Sequence, residues 1–194
     1  MRKILVIAGI SGLLFGCAPR FSEYEHLKEP AIRTMPGQKM ITVEAKGAPN
    51  VTGGKAFGLL YKTIYQLKVK GIGKTAPRAR WPKGLDTPKD EWVSIYGLPV
   101  PEGVESLPTQ KSSSGLKVKI TYWEYGEVAE ILHIGPYDKE CATIERLHNF
   151  IKDNGYKIAG PHEEEYLKGP GMFGKGNPAK YQTIIRYQIE KEDK

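Results

Sequence analysis

Each half of this chain runs from a β-branched strand through a turn carrying Gly and Pro into an amphipathic helix, and that repetition limits the fold more than any other feature. The segment Met40-Ile41-Thr42-Val43-Glu44-Ala45-Lys46-Gly47-Ala48-Pro49-Asn50 parallels Glu127-Val128-Ala129-Glu130-Ile131-Leu132-His133-Ile134-Gly135-Pro136-Tyr137. A small α/β unit present twice sets its copies side by side, and the crease between them is a natural place for a ligand.

Hydrophobic periodicity extends the pattern in both directions. Residues 31–35 and 39–46 are rich in β-formers and flank the turn pair Pro36-Gly37, which predicts two successive strands. From Gly54 to about Lys68, Ala56, Leu59, Leu60, Thr63, Ile64 and Leu67 recur at helical intervals, so a helix presents them on one face. Phe57, Tyr61 and Tyr65 run beside that face, at the edge where a cavity would lie. Over residues 91–96, alternation sends Trp92, Ser94 and Tyr96 to one side of a strand and Val93 and Ile95 to the other. A strand over 116–125, a tight turn at Gly126 and a strand over 127–134 follow. A second helix spans about Asp138 to Asn154, with Ile144, Leu147 and Ile151 as its apolar stripe and Asn154-Gly155 as its stop. Strands over 163–168 and 180–189 close the chain. Strand, helix, strand, strand thus occurs twice, over pseudo-repeats of about 38–124 and 126–190, with an extra strand in front. The expected class is α+β, a mainly antiparallel sheet with two helices on one face rather than a doubly wound one.

The first residues read as an address. Arg2 and Lys3 precede an uncharged run from Ile4 to Phe15 that is too short for a stable membrane span and reads as a secretory signal. It ends in Leu14-Phe15-Gly16-Cys17, which resembles the bacterial lipobox, with Phe15 bulkier than usual. Cleavage before Cys17 and transfer of a diacylglyceryl group to its sulfur are the processing this implies. Residues 1–16 are then a leader, 17–29 a lipidated Cys and polar tether, and 30–190 one ligand-binding domain. Roughly 178 residues remain after cleavage, enough for a substantial core. Acyl chains hold a protein at a membrane surface without a spanning helix. With Cys17 lipidated, Cys141 has no partner for an internal disulfide, and its place one helical turn before Ile144 reads as a buried, inert thiol.

The formal charge of +7 falls to +5 without Arg2 and Lys3, a balance suited to anionic membranes or nucleic acid, and export argues against nucleic acid. Lys68, Lys70, Lys74, Arg78, Arg80, Lys83 and Lys89 face only Asp86 among Gly and Pro, which reads as a solvated basic loop, with contact to anionic lipid as the sharper alternative. Gly71-Ile72-Gly73-Lys74-Thr75 looks like the end of a phosphate-binding loop. Lys68 stands where its first Gly belongs, however, and no strand-to-helix context surrounds it.

Three segments of the second half carry a resemblance: Ile134-Gly135-Pro136-Tyr137, Gly160-Pro161-His162-Glu163-Glu164-Glu165-Tyr166-Leu167 and Tyr181-Gln182-Thr183-Ile184-Ile185-Arg186-Tyr187. In the first half, Glu91-Trp92-Val93-Ser94-Ile95-Tyr96 matches in the same way. Their order and spacing over roughly residues 30–190 resemble the GyrI-like small-molecule-binding domain, also found as the effector-binding module of multidrug-responsive regulators. The resemblance implies a curved sheet with a groove at the pseudo-twofold axis, lined by aromatic rings and often holding an acidic residue that favours flat hydrophobic cations. Ring faces attract cations, and a carboxylate shielded from water attracts them further. The 11 Tyr and 3 Trp against 5 Phe suit such a pocket, offering flat faces with polar handles. Many relatives place the acid just after the Thr of the closing strand, where this chain has Ile184, and Glu164 on the neighbouring strand is the candidate replacement. Alternation puts Glu164, Tyr166 and His162 on one face and Glu163 and Glu165 on the other. Trp92, Tyr96, Tyr137, Glu164 and Tyr166 are the expected pocket residues.

Binding of hydrophobic, aromatic or cationic small molecules at the cell envelope is the function these features favour, with no cofactor, no metal and no nucleic acid, and with a monomer as an acceptable state. Some members of the family hydrolyse cyclopropane-containing compounds, which makes hydrolysis the alternative, with Glu164 as acid or base beside Tyr166. No Ser-His-Asp signature or His-Glu-x-x-His spacing points elsewhere. The duplicated architecture is also similar to that of the haem-binding SOUL proteins. None of His26, His133, His148 and His162 sits in a haem attachment motif, and His148, beside Leu147, reads as half-buried. No helix-turn-helix segment is read ahead of the domain, and the gyrase inhibition behind the family name does not transfer to an exported chain. Ala18 and Pro19 lack the Asp that favours inner-membrane retention, so an outer membrane, where the organism has one, is the expected site.

Overall fold

Alternating β-branched and polar residues form nine strands among the described residues: β1 (Ala31–Met35), β2 (Gln38–Lys46), β3 (Arg78–Trp81), β4 (Val93–Pro99), β5 (Val118–Trp123), β6 (Gly126–Ile134), β7 (Tyr156–Ile158), β8 (His162–Lys168) and β9 (Gln182–Lys191). Two helices join them, α1 (Pro49–Leu67) and α2 (Cys141–Asp153). The computed structural model describes residues 23–68, 75–83, 87–88, 91–109, 115–170 and 176–192. Cys17, the leader, most of the tether, Lys70, Lys74, Asp86 and Lys89 lie outside them, as does most of the phosphate-loop look-alike.

The strands lie in the order β1-β6-β9-β8-β3-β4-β2-β5, and every pairing is antiparallel. β7 continues the line of β8 along β9. The sheet mirrors itself about the β3–β8 contact, with β8, β9, β6 and β1 on one side and β3, β4, β2 and β5 on the other. In the half led by β2 the edge strand β5 follows in the chain. In the half led by β6 the edge strand β1 comes from the front.

Both helices cover the same face. Ala56, Leu60 and Ile64 of α1 pack on Ile41, Val43, Tyr96 and Leu98, while Leu147 and Ile151 of α2 pack on Ala129, Ile131 and Ile185. Each Leu, Ile or Val among them contributes about 1.5–3 kcal/mol on burial. Leu27, in a short 3-10 turn ahead of β1, joins Leu132 and Ile184 on the opposite face.

That opposite face also carries a buried ladder of alternating charge. Register aligns Arg80, Glu163, Arg186 and Glu130 across β3, β8, β9 and β6. Arg186, 1% exposed, donates to Glu130 at 2.8 Å, Glu163 at 2.7 Å and Glu165 at 3.0 Å. Arg80 donates to Glu163 at 2.6 Å and its guanidinium lies 4.0 Å from the Trp123 ring. Burial works against the Glu130 carboxylate, but Arg186 and Arg33 outweigh it and hold the group below its ordinary range.

Several expectations are corrected. Part of the supposed basic loop is β3, a central strand whose Arg78 and Arg80 are ion-paired with Glu165 and Glu163 rather than solvated or free for lipid. α1 starts at Pro49, ahead of the expected Gly54, because the missing Pro N–H costs nothing at the first helical position. Cys141 is exposed at the first position of α2. Tyr61 and Tyr65 point outward, at 45% and 86% exposure, whereas Phe57 turns inward. His148 is exposed rather than half-buried, although its ring packs 4.9 Å from that of the buried Tyr187.

Candidate functional site

The crease between α1 and α2 has β3 and β8 as its floor. Register lines up Tyr96, Ala79, Glu164, Ile185 and Ile131 in one row across five strands, so the carboxyl of Glu164 rises beside the small side chain of Ala79. Glu164 is buried, and His162 Nε2 donates to its Oε1 at 2.9 Å. The Tyr187 hydroxyl donates in turn to His162 Nδ1 at 2.7 Å, the tautomer assigned by a carboxylate acceptor. This chain of bonds fixes the carboxyl from behind.

Rings close the sides. Phe57 stands 5.0 Å from Tyr96 and 6.0 Å from Tyr166, and Tyr137 stands 5.7 Å from Tyr166 and 5.3 Å from Tyr181. Trp81 completes the other end, 5.3 Å from His162. Two glycines allow Tyr137 its place. Gly135 adopts φ +148, and a Cβ there would also come within 3.2 Å of His133 Nε2. A Cβ on Gly169 would lie 2.9 Å from the Tyr137 hydroxyl.

A second acid enters from the start of α2. Glu140 occupies the cap position but its side chain makes no capping bond; it turns inward, 6% exposed, to face Glu164 and Thr183. Burial, and then the Glu164 carboxylate, push its carboxyl up to about 9. Burial followed by Glu164 also raises Tyr137, Tyr166 and Tyr187. Among the described residues no Lys or Arg acts on Glu140, Tyr137 or Tyr187.

Four buried polar atoms on this face have no well-formed protein partner among the described residues: Glu140 Oε1, Thr183 Oγ1, Trp81 Nε1 and Ser94 Oγ. Such groups cost about 1–3 kcal/mol each when left unbonded, so their grouping on one face makes the crease the candidate site for a polar ligand. Open concavities lie elsewhere. One of about 500 Å³ runs between Glu29 and the outer face of α2, and another of about 410 Å³ flanks Leu107 and Lys117, and neither contains the acid pair. The unpaired buried atoms are the more telling signal, because a shallow surface hollow implies no cost.

Of the expected pocket residues, Tyr96, Tyr137, Glu164 and Tyr166 surround this crease, although the Tyr96 hydroxyl is engaged by Thr52 Oγ1 at 2.9 Å. Trp92 is set back, packed 6.4 Å from Trp81 with its N–H donated to the Thr87 carbonyl. Phe57, read from the sequence as lying at the edge of a cavity, joins them, as do Trp81, Glu140, Tyr181, Thr183 and Tyr187, which were not singled out as pocket residues. His133 and His162 each have partners at both ring nitrogens, which leaves neither free for an iron.

The domain described as a GyrI-like small molecule binding domain matches residues 28–188. The chain belongs to this GyrI-like family. Solved structures with the same fold include a hydrolase from Listeria innocua, 22% identical, with a TM-score of 0.66 over 84% of this chain and 92% of that one. An uncharacterized conserved protein from Listeria innocua, also 22% identical, gives 0.68 over 88% and 97%. The EcmrR C-terminal domain, 16% identical, gives 0.61 over 84% and 98%. None of the curated proteins matches. Within the GyrI-like frame, Ile184 packs with Leu27 and Leu132 on the face away from the crease. An acid at that position would not reach the crease, whereas Glu164 and Glu140 do.

Proposed function

We propose that this chain captures hydrophobic aromatic small molecules, cations foremost, in the crease between its halves, and that it does so at the cell envelope from a lipid on Cys17. The observation that carries the reading is the acidic floor of Glu164 and Glu140, walled by Tyr137, Tyr166 and Phe57, with unpaired N–H and O–H groups beside it. A flat cation gains there from ring faces and from carboxylates shielded from water. Support for the address comes from the leader, the lipobox-like end at Cys17 and the basic balance of the chain.

Two measurements test it. Trp81 borders the crease, so saturable tryptophan quenching by ethidium, with a neutral phenanthridine bound at least about tenfold more weakly, is the expected outcome. No response to either compound, or equal affinity for both, removes the preference for cations. For the address, radiolabelled palmitate should enter the wild-type protein and not Cys17→Ser, which should leave the membrane fraction; an unlabelled wild type rules the anchor out.

A second reading is hydrolysis of strained cyclopropane-type compounds. It is favoured by one observation, the burial of the Glu140 carboxyl against Glu164, which raises its value and so sets an acid beside a candidate base. Glu164→Gln should then abolish product formation while binding stays measurable, and unchanged turnover in that variant removes Glu164 from the reaction.

A further inference from the structure

The groups around Glu140 set the terms. Glu164 of β8 and Thr183 of β9 face it, Tyr166 of β8 and Tyr137 of the turn ahead of α2 feel its charge, and behind these His162, backed by Tyr187, bonds to Glu164 while Tyr181 packs on Tyr137. Asp138 and Lys139 of that same turn are exposed, and His133 on β6 is tied to Thr143 and to the Pro136 carbonyl. A carboxyl at a helix start ordinarily stays ionised and caps the free N–H groups. Here it forgoes the cap and is buried against a second carboxyl, that of Glu164, with the Thr183 hydroxyl beside it.

We propose that Glu140, buried beside Glu164, keeps its proton until a cationic ligand enters the crease by displacing it, so that the protein binds cations in exchange for a proton. The balance is simple: the Glu140 carboxylic acid gives its proton to solvent, and the positive charge of the ligand replaces it between the two carboxylates. A neutral aromatic ligand leaves the proton in place. Like charges held close cannot both ionise cheaply, which is why a proton stays until a cation takes over its role. This exchange deepens the capture reading and rests on it.

The test is calorimetric titration of the full chain in detergent with ethidium, in buffers of different ionisation enthalpy, from pH 7 to pH 9. That window lies above the ordinary imidazole range of about 6.5. The wild type should release close to one proton at pH 7, and its Kd should tighten toward about tenfold per pH unit until the Glu140 value of about 9. Glu140→Gln, which keeps the shape of the protonated side chain, should release none and show a flat profile, and Glu140→Asp should restore release. The wild-type titration alone decides the matter should a variant not fold. Tight ethidium binding with no proton release, or equal release by Glu140→Gln, overturns the exchange and leaves capture standing. No ethidium binding by the wild type overturns both.

Discussion

Glu140 shows what one side chain can cost a fold. Its carboxyl lies at about 9 in the folded protein against an ordinary 4.5. The folded state therefore keeps a proton that the unfolded chain releases above pH 4.5, and the stability tied to it is complete below that value and declines as pH rises toward 9. Glu140→Gln should melt higher than the wild type at pH 8, by on the order of 1–3 kcal/mol, and close to it at pH 4, a difference that calorimetry reads directly. Glu130 runs the other way, its contribution present above the ordinary carboxylate range and lost as pH falls through its depressed value. Glu164 was legible in the sequence because strand alternation alone puts it with His162 and Tyr166. Glu140 was not, since an acid in the first turn of a helix reads as a partner for the helix dipole, and only tertiary packing turns it inward.

Among the elements, β3 and the three-residue β7 were hidden from view, and β3 is the more telling. Arg78-Ala79-Arg80-Trp81 in a Lys-rich stretch has the composition of a solvated loop, and the carboxylate that neutralises Arg80 lies 83 residues further along the chain. The longer helices and strands were visible because each buries a stripe of its own periodicity, whereas β3 is buried by charge pairing that no local window contains. Arg186 holds that pairing together, and replacing it would leave three buried carboxylates with one arginine each instead of two. Arg186→Met should cost about 3–5 kcal/mol, seen as a lower urea midpoint with the slope unchanged. A loss under about 1 kcal/mol would mean that water enters the ladder freely.

Across the whole molecule the duplication was readable, but the origin of the edge strands was not, because pairing partners far apart in sequence leave no periodic trace. Residues 38–123 form one half of the sheet as a single run of chain, while the other half needs β1 from the front to cover β6. Removing residues 1–36 should therefore abolish hydrogen-exchange protection at the β6 amides that bond to β1 and leave β2 and β5 protected. Equal loss in both halves would show that they unfold as one unit. The same arrangement has a mechanical side. A steady pull on the chain ahead of residue 23 would meet the short turn pinned by Leu27 and then β1, which is hydrogen-bonded along one edge only. Peeling β1 away would loosen β6, β9 and β8 in turn, and with β8 the floor of the crease, while the other half stayed closed. Tension would thus slacken the grip on a ligand long before it unravelled the protein.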